Sequence, residues 1–307
     1  MKKKIQQTRR YKAGFIAVIG SPNVGKSTLI NALIGQEVAV VSPRPQTTRH
    51  RQLGILSRDD AQLVFIDTPG LHVPRHLLGN CLNLIARETI KEADVILWVV
   101  DISQPLSDED HFILSQLQNI KSRAKLILAL NKKDLLTHNL NDGVGQYQDS
   151  YPVSAFVVIS ALYKDGLDEL LKMLINHLPE GEAYYPTDQV TDLYERDISA
   201  DFIRAAALIL LRDEVPHSLA VQINEYSERE SGLVYIRATL YAEKDSQKGI
   251  IIGHQGSMLK KIGSLARQSI EEMLEQQVYL DLHVTVMKNW RNNPSLLNKM
   301  GYKIEKV

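Results

Sequence analysis

The sequence predicts two domains: an α/β domain with a mostly parallel sheet and helices on both faces, and then a smaller α+β domain. Three observations support this. The chain has 307 residues, a length typical of two domains. Short apolar runs alternate with amphipathic stretches as far as residue 183, after which the order of elements changes. Hydrophobic residues make up 44% of the chain, enough for a core in each part.

The first domain is predicted to span residues 1–183. Its apolar runs are rich in Val, Ile and Leu and barely alternate with polar residues, as expected of strands buried on both faces. They are Phe15–Ile19, Leu63–Ile66, Val95–Val100, Leu126–Leu130 and Phe156–Ile159. Helix-like segments lie between them at Lys26–Ile34, Leu82–Ala93, Ser107–Ile120 and Leu167–Leu178. Ligands of such parallel sheets bind at the carboxyl ends of the strands.

Residues 184–196 are predicted to form a linker, because this stretch begins near two prolines, a glycine and several carboxylates. The second domain is predicted to span 197–307 and to begin with a helix. Two strands follow, in "LAVQINEYSE" and "GLVYIRATLYAE", then a helical stretch and the strand-like "VYLDLHVTVM". This mixed order predicts an α+β fold.

Composition narrows the cellular context. The formal net charge is +0, so no global field favours nucleic acid or membrane. The one cysteine, Cys81, fits a reducing cytoplasm and is expected to be a small buried residue. No apolar run approaches the roughly 20 residues that span a bilayer. The basic start, "MKKKIQQTRRYK", is predicted to be a solvated tail, with peripheral contact at the inner face of the cell membrane as an alternative.

The first chemical motif is "GSPNVGKSTLINALIGQ", which follows the apolar run "FIAVI" directly. It fits the pattern G-x-x-x-x-G-K-[ST] of a phosphate-binding loop, whose backbone N–H groups surround phosphates at a helix N-terminus. Lys26 is predicted to reach the β and γ phosphates, and the Ser27 hydroxyl to bind Mg²⁺. A glycine-bearing turn that caps an ordinary helix is the alternative. The predicted contacts are Gly20, Ser21, Pro22, Asn23, Val24, Gly25, Lys26, Ser27 and Thr28.

A second motif, "LVFIDTPG", ends the next buried run with Asp67, Thr68, Pro69 and Gly70. A carboxylate at this point can hold Mg²⁺ through water, and the Gly70 N–H can meet the γ phosphate. The residue after Gly70 is Leu71, which cannot orient a water molecule as glutamine does in Ras-type GTPases. We therefore expect slow hydrolysis by the protein alone. His72 is expected to be an exposed switch residue rather than the missing base.

A third motif selects the base. "LILALNKKD" ends a run with Asn131, Lys132, Lys133 and Asp134. Guanine presents N1–H and an exocyclic amine on one edge, and one carboxylate can accept both, so Asp134 fits guanine. The stem of Lys132 is expected to lie along the base. In the later "VVISAL", the N–H of Ala161 is predicted to meet the guanine oxygen, with Ser160 bracing the loop; the predicted set ends at Leu162.

The polar loop "VSPRPQTTRHR" lies between the first two motifs. A hydroxyl from such a loop can complete the Mg²⁺ shell in the GTP state; Thr48 is the first candidate and Thr47 the second. Loss of the γ phosphate would then release the loop, which makes it a predicted switch. An ordinary surface loop is the alternative.

With these motifs the chain resembles the Era family, bacterial GTPases of small-ribosomal-subunit assembly, from about residue 14 to 302. Beyond the motifs already quoted, "PQTTRHR", "IIGHQGSMLKKIG" and "VMKNWRNNPSLLNKMGY" carry the resemblance. It implies a P-loop GTPase domain followed by a type II KH domain, with GTP or GDP and Mg²⁺ as ligands. It also implies K⁺ as a catalytic charge, because Asn23 stands at the phosphate-loop position associated with K⁺.

The segment "GIIIGHQG" carries the KH signal, a G-x-x-G loop that clamps about four nucleotides of single-stranded nucleic acid. Five basic residues and one acidic residue lie between Lys244 and Arg267, so charge favours RNA binding only locally. The predicted contacts are Lys248, Ile252, Gly253, His254, Gln255, Gly256, Lys260 and Lys261. The alternative is a KH-like fold that contacts protein. Trp290 is expected to pack in a core rather than stack on a base.

The function predicted from these features is a GTP-hydrolysing switch with Lys26, Asn23, Thr48 and Gly70 in the catalytic site. The resemblance implies that it binds the 3′ end region of 16S ribosomal RNA and acts in maturation of the 30S subunit. Three alternatives remain open: an RNA-binding GDP/GTP module with negligible turnover, a translation GTPase directed at tRNA, and an ATPase.

Overall fold

The structure is a computed structural model and describes residues 10–36, 38–40, 49–120, 122–137, 153–229 and 232–304. Contacts group the described residues into two units. Unit 1 comprises those within Met1–Val38, Gln52–Thr68 and Arg87–Asp192; unit 2 comprises those within Ala39–Arg51, Pro69–Ala86 and Leu193–Val307. Two segments from the first half of the chain thus group with the C-terminal part. The boundaries at 183 and 196 remain a prediction.

Unit 1 contains a six-stranded sheet. Its strands are β1 (Lys12–Ile19), β2 (Gln52–Ser57), β3 (Ala61–Asp67), β4 (Val95–Asp101), β5 (Lys125–Asn131) and β6 (Ala155–Val158). Their order in the sheet is β2-β3-β1-β4-β5-β6, with β2 antiparallel to β3 and all other pairs parallel. The helices of this half of the chain are α1 (Lys26–Ile34), α2 (Leu77–Glu92), α3 (Asp108–Asn119) and α4 (Leu167–His177). The predicted α/β class is confirmed.

The two largest differences from the sequence prediction concern β2 and α2. Strand β2 was not predicted, because "QLGILS" is short and Gly54 interrupts its apolar pattern. Helix α2 begins at Leu77 rather than Leu82. Gly79 lies in the first turn of α2 and lowers the intrinsic helix propensity there, so the sequence pattern alone did not indicate this turn. A Cβ added at Gly79 would lie 3.3 Å from the ring of Pro74, so glycine allows the two residues to pack closely.

The sheet of unit 1 is buried on both faces, which explains why its strands lack alternation. All residues of β3 are buried, as are those of β4 up to Val100. The main core joins the sheet to α1 and α4. Because β1, β3, β5 and β6 run parallel, the segments that follow them begin at the same edge of the sheet.

The predicted linker is attached to unit 1 through most of its length. Gln62, fully buried in β3, donates to the Tyr185 carbonyl at 2.8 Å and accepts from the Tyr185 N–H at 3.0 Å. Further along, the Ile55 N–H of β2 donates to the Val190 carbonyl at 2.8 Å. Sequence composition indicated a connecting segment but not these backbone partners.

Unit 2 has the helix-first order that the sequence predicted. Its elements are α5 (Glu195–Leu210), β7 (Ala220–Glu228), β8 (Val234–Ala242), α6 (Asp245–Ile252), α7 (Ser257–Leu274), β9 (Val278–Val286) and α8 (Pro294–Lys299). In the sheet β7-β8-β9, the first pair is antiparallel and the second parallel. The parallel pair needs a crossover, which α6 and α7 supply.

The core of unit 2 lies between its helices and one face of its sheet. Inward residues such as Ile236 and Leu240 of β8 and Ile262 of α7 are fully buried. Trp290 and Cys81 are also buried, as the sequence predicted. In the described part of the chain, no helix combines the length and apolar character that crossing a bilayer requires.

Candidate functional site

The loop between β1 and α1 has the backbone of a phosphate-binding loop. Gly25 precedes α1 with φ +97°, and a Cβ there would lie 2.5 Å from Asn131 Nδ2, so no side chain fits. Asn23, at φ 64°, also lies in the left-handed region, where asparagine is tolerated, and its side chain is exposed. The N–H groups at the start of α1 therefore follow a tight turn that an anion can approach closely.

Lys26 is buried inside this loop. Its Nζ donates to the carbonyl oxygens of Gly20 and Ser21, both at 2.9 Å. Burial lowers the pKa of the ammonium to about 8, although the charges of Asp67 and Asp110 act in the opposite direction. Phosphate oxygens could replace the two carbonyls, and their charge would favour the protonated lysine.

A hydroxyl and a carboxylate meet beside the loop. The Ser27 Oγ donates to Asp67 Oδ2 at 3.0 Å, and Asp67 is buried at the end of β3. The next residue, Thr68, donates its hydroxyl to the Val18 carbonyl at 2.9 Å and so fixes this strand end against β1. Mg²⁺ prefers such hard oxygen ligands, so Ser27 and Asp67 fit the predicted ion. Thr48 and Thr47 lie outside the described residues.

Pro69 and Gly70 continue the chain and belong to unit 2. The Gly70 carbonyl accepts from the ring Nδ1 of His72 at 2.8 Å, and Leu71 is buried. His72 is half-buried rather than exposed, and its backbone carbonyl accepts from the side chain of Asn83 at 2.8 Å. The expectation of an exposed His72 was wrong, because this bond holds the residue against α2.

Asn131 joins the loops that follow three parallel strands. Its Nδ2 donates to the Val24 carbonyl at 2.8 Å, and its Oδ1 accepts from the Ala161 N–H at 2.9 Å. Sequence reasoning placed Asn131 in the base motif without this bridging role. Sequence reasoning also predicted that the Ala161 N–H donates to the guanine oxygen. In that case the guanine oxygen would share this N–H with Asn131 Oδ1 or displace it.

Asp134 is exposed beyond the end of β5, and the Ser160 hydroxyl donates to its Oδ1 at 2.5 Å. Lys132 forms an ion pair with Asp101, whose Oδ2 lies 2.6 Å from the lysine Nζ. Asp101 was not predicted, although it ends the apolar run of β4, the same signal that identified Asp67. The remaining predicted members are accessible: Pro22 and Thr28 are half-buried, and Lys133 and Leu162 are exposed.

Asp110 is a second residue that the sequence analysis missed. Its Oδ1 accepts from the Ser21 hydroxyl at 2.7 Å, which ties the phosphate loop to the start of α3. Its Oδ2 accepts from the backbone N–H and hydroxyl of Ser107, at 3.0 and 2.7 Å, in a capping box. The sequence "SDED" is typical of a capping box and could have indicated this local role of Asp110. Nothing in it indicates the hydrogen bond to Ser21, which is 89 positions away.

The G-x-x-G segment of unit 2 forms the turn between α6 and α7. Gly253 has φ +72°, and an added Cβ would lie 2.7 Å from the Met258 Cβ, so glycine is required. Gln255 is in the left-handed region at φ 50°. His254 and Gln255 are exposed at the tip of the turn, where a nucleic-acid backbone can reach them.

A groove of about 430 Å³ runs beside this turn, between α7 and β9. Two of the predicted RNA contacts, Gly256 and Lys260, line it; the other six predicted residues do not. The remaining lining residues are Leu259, Gly263, Ser264, Arg267, Val278, Tyr279, Leu280 and Leu282. Sequence reasoning missed those from β9 because it could not tell which strand lies beside α7. Apolar walls, two cations and Tyr279, which is 58% exposed, suit unstacked bases.

A phosphate loop with its lysine, a hydroxyl–carboxylate pair and an Asn-Lys-Lys-Asp loop thus share one sheet edge of unit 1, and a G-x-x-G turn opens a groove in unit 2. These features define a P-loop GTPase that carries a KH domain. The models of two protein families match the corresponding stretches: "50S ribosome-binding GTPase" over residues 15–132 and "KH domain" over residues 214–291.

Full-length relatives identify the family. GTPase Era of Ruminiclostridium cellulolyticum is 46% identical over 297 residues, which cover 96% of this chain and 99% of that protein. GTPase Era of Halothermothrix orenii is 47% identical over 296 residues, with 95% and 99% covered. The chain belongs to the Era family of GTPases.

Two solved structures agree with this assignment. A tyrosine-to-alanine variant of Aquifex aeolicus Era bound to GDP·AlF₄⁻ superposes with a TM-score of 0.89 at 38% identity, covering 95% of this chain and 100% of that one. Era in complex with MgGDPNP and nucleotides 1506–1542 of 16S ribosomal RNA gives 0.88 at 37% identity, with 96% and 100% covered.

Proposed function

We propose that this protein is a molecular switch that hydrolyses GTP to GDP and phosphate and, in one nucleotide state, binds the 3′ end region of 16S ribosomal RNA during 30S assembly. The observation that carries the nucleotide assignment is the Asn131 bridge, which links the phosphate loop to the loop of Ala161 through one side chain. The RNA assignment rests on family membership and on the groove beside Gly256.

In this proposal each residue of the nucleotide site has a definite task. Lys26 exchanges its two carbonyl partners for phosphate oxygens, and Asp134 accepts from the guanine edge. Ser27 and Asp67 hold Mg²⁺, which when bound neutralises charge on the phosphate oxygens. The Gly70 N–H donates to the γ phosphate. Catalysis then consists of positioning and charge stabilisation, with little covalent work for the protein.

We also propose that K⁺ raises the hydrolysis rate. Leu71 is buried and apolar, so this chain supplies no side chain there to orient the attacking water. A cation beside the phosphates can stabilise transition-state charge in the way an arginine finger does. The exposed side chain of Asn23, on a left-handed turn of the phosphate loop, is suited to bind it.

The RNA site of this proposal combines the turn Gly253–Gly256 with the groove behind it. Glycines let the sugar–phosphate backbone lie against the turn, while Tyr279 and the apolar residues of β9 receive the bases. Lys260 and Arg267 line the groove and supply positive charge, that of Arg267 being partly offset by Glu271 at 3.9 Å. Lys248, Lys261 and Ile252 flank the turn and form an outer set of contacts.

Three further parts of the proposal concern location and organisation. We place the protein in the cytoplasm, with peripheral contact of its basic N-terminal tail at the inner face of the cell membrane. Residues 1–9 lie outside the described part, and co-sedimentation with anionic vesicles tests this contact. The division into a GTPase domain (1–183), a linker (184–196) and a KH domain (197–307) also stays a proposal.

The experiment that tests the function measures phosphate release from GTP in KCl and in NaCl, with and without an RNA of the 16S 3′ end. We expect slow release in NaCl, faster release in KCl, and a further change with RNA. Lys26→Ala serves as the inactive control. Absence of release above this control in every condition would favour the alternative of a GDP/GTP module with negligible turnover.

A further inference from the structure

Asp101 ends strand β4 of unit 1, and its carboxylate lies beside the loop that the proposed function assigns to the guanine base. Strands β4 and β5 are parallel, with Asp101 opposite Asn131, so Lys132 is the first residue beyond the paired strands. The Lys132 Nζ donates to Asp101 Oδ2 at 2.6 Å. The two side chains are 28% and 18% exposed, and because they are largely withdrawn from water, their charges attract each other more strongly than those of a surface pair.

The Asp101 carboxylate is itself held in place. Its Oδ1 accepts from the backbone N–H of Ser103 at 3.0 Å and from the Ser103 hydroxyl at 2.6 Å. The Ile102 N–H donates to the Asn131 carbonyl at 3.0 Å and so joins the ends of β4 and β5. Each oxygen of the carboxylate therefore has its own partner, and the group cannot rotate without breaking one of these hydrogen bonds. Lys132 thus meets an acceptor whose position is already set.

The backbone of Lys132 also restricts where its side chain can run. Lys132 has φ 66°, in the left-handed region that few residues with a Cβ adopt. The Lys133 N–H donates to the Ile159 carbonyl at 3.1 Å, and the Leu135 N–H donates to the Lys132 carbonyl at 2.9 Å, so the following turn is held as well. Because its backbone is fixed at one end and its ammonium at the other, the four-carbon stem of Lys132 has little freedom.

The neighbours of Lys132 give this restraint its significance. Lys132 stands between Asn131, which bridges to the phosphate loop, and Asp134, the proposed acceptor for the guanine edge. A purine whose edge meets Asp134 covers its ring faces with neighbouring side chains, and the methylene stem of a lysine is a suitable apolar surface. A free lysine would lose side-chain freedom on contact with the ring, which lowers affinity about two- to tenfold for one immobilised side chain. A stem that is already held avoids this loss.

We propose that Asp101 is a positioning residue that holds the stem of Lys132 as a preformed wall for the purine ring and so slows release of the bound nucleotide. This inference rests on the proposed function. Asp101 acts on the ring that all purine nucleotides share, whereas Asp134 recognises the donors of guanine. Asp101 therefore sets how tightly the nucleotide is held, and Asp134 sets which nucleotide is selected. Hydrolysis takes place at the other end of the nucleotide and does not depend on this ion pair.

The test measures release of GDP that carries a fluorescent group on its ribose, after addition of excess unlabelled GDP. In Asp101→Asn the single amide oxygen can serve Ser103 or Lys132 but not both, and Asp101→Ala removes both contacts. We expect each variant to release GDP about two- to tenfold faster, with the single-turnover rate of GTP hydrolysis unchanged. Asp165→Asn is the matched control, because Asp165 pairs with the adjacent Lys133 at 2.7 Å but both side chains are exposed; release should change by less than about twofold.

Two comparisons give readouts that a general loss of structure would not produce. IDP lacks the exocyclic amine of GDP, so the ratio of GDP to IDP affinity reports on Asp134. We expect Asp101→Asn to leave this ratio unchanged, because the ring contact is common to both nucleotides. Lys132→Met keeps an unbranched apolar side chain but has no ammonium for Asp101 to hold. In this background, Asp101→Asn should change GDP release by less than about twofold.

The outcomes separate this inference from the proposed function. Failure of the unmodified protein to bind GDP would overturn the proposed function. Unchanged or slower GDP release in both Asp101 variants would overturn the role of Asp101 alone, and slower release would mean that the ion pair competes with the nucleotide for Lys132. A changed GDP to IDP ratio, or an equal effect of Asp101→Asn in the Lys132→Met background, would also overturn it. If Asp101→Ala fails to fold, the nearly isosteric Asp101→Asn carries the test, with its melting transition as the check on folding.

Discussion

The bridge made by Asn131 gives the sharpest prediction for the nucleotide site. Asn131→Ala removes both hydrogen bonds, leaving the Val24 carbonyl and the Ala161 N–H without this partner. Both residues are buried, so water cannot readily replace the lost side chain. A buried polar group left unsatisfied costs about 1–3 kcal/mol, so the two together cost about 2–6 kcal/mol. This is a large part of the roughly 5–15 kcal/mol that stabilises a domain.

Urea unfolding of the nucleotide-free protein, followed by circular dichroism, measures this loss. Asn119→Ala is the matched control, because the Asn119 side chain also donates to a backbone carbonyl, that of Ser115 at 2.8 Å, but at the exposed end of α3. We expect the control to lose no more than about 0.5 kcal/mol. GDP affinity of Asn131→Ala should fall by at least about tenfold, the equivalent of 1.4 kcal/mol, because the phosphate and base loops are no longer joined.

The reasoning would be refuted if Asn131→Ala and Asn119→Ala unfolded at the same urea concentration with equal slopes. It would also be refuted if Asn131→Ala lost stability but bound GDP as tightly as the unmodified protein, since the bridge would then be structural only.

Three further predictions follow from single contacts. The pKa of buried Lys26 is about 8 and phosphates favour its charged form, so GDP binding should take up a large fraction of a proton near pH 8.5 and almost none at pH 7. Titration calorimetry in two buffers of different ionisation enthalpy measures this proton uptake, which Lys26→Arg should abolish. Asp110→Ala should lower the free energy of unfolding by about 1–3 kcal/mol, more than Ser21→Ala, because it also removes the carboxylate that accepts from Ser107 in the capping box of α3. Equal losses in urea titrations would contradict the capping argument. Tyr279→Ala should weaken binding of the 16S 3′-end RNA by about 1–3 kcal/mol, while Tyr194→Ala, which alters another exposed tyrosine of unit 2, should leave it unchanged in anisotropy titrations.

The parts of the molecule that the sequence predicted are those with local signals. Five strands of unit 1 were predictable because strands buried on both faces read as continuous apolar runs. The phosphate loop and Asp67 were predictable because polar residues directly follow such runs. The turn at Gly253 was predictable because the G-x-x-G pattern that it forms with Gly256 lies between two apolar segments. In each case neighbouring residues along the chain carry the physical cause.

The parts that it did not predict depend on partners far apart in sequence. Nothing near Asp110 indicates that its carboxylate receives the Ser21 hydroxyl, and nothing near Arg49 indicates that it is buried against the turn at 217–219. The stretch "TTRHR" has the composition of a polar loop, but its two arginines lie in different environments: Arg49 is buried and Arg51 is exposed. Strand β2 was missed because an edge strand with a central glycine owes its formation to pairing with β3 rather than to its own pattern.

The most direct test of the account measures the affinities of Asp134→Asn for GTP and XTP beside those of the unmodified protein. A carboxylate accepts from both guanine donors, whereas an amide offers one acceptor and a donor that matches the additional oxygen of xanthine. The account predicts that the unmodified protein binds GTP far more tightly than XTP or ATP and that Asp134→Asn prefers XTP. Retention of the GTP preference by Asp134→Asn, or equal binding of ATP by the unmodified protein, would contradict it.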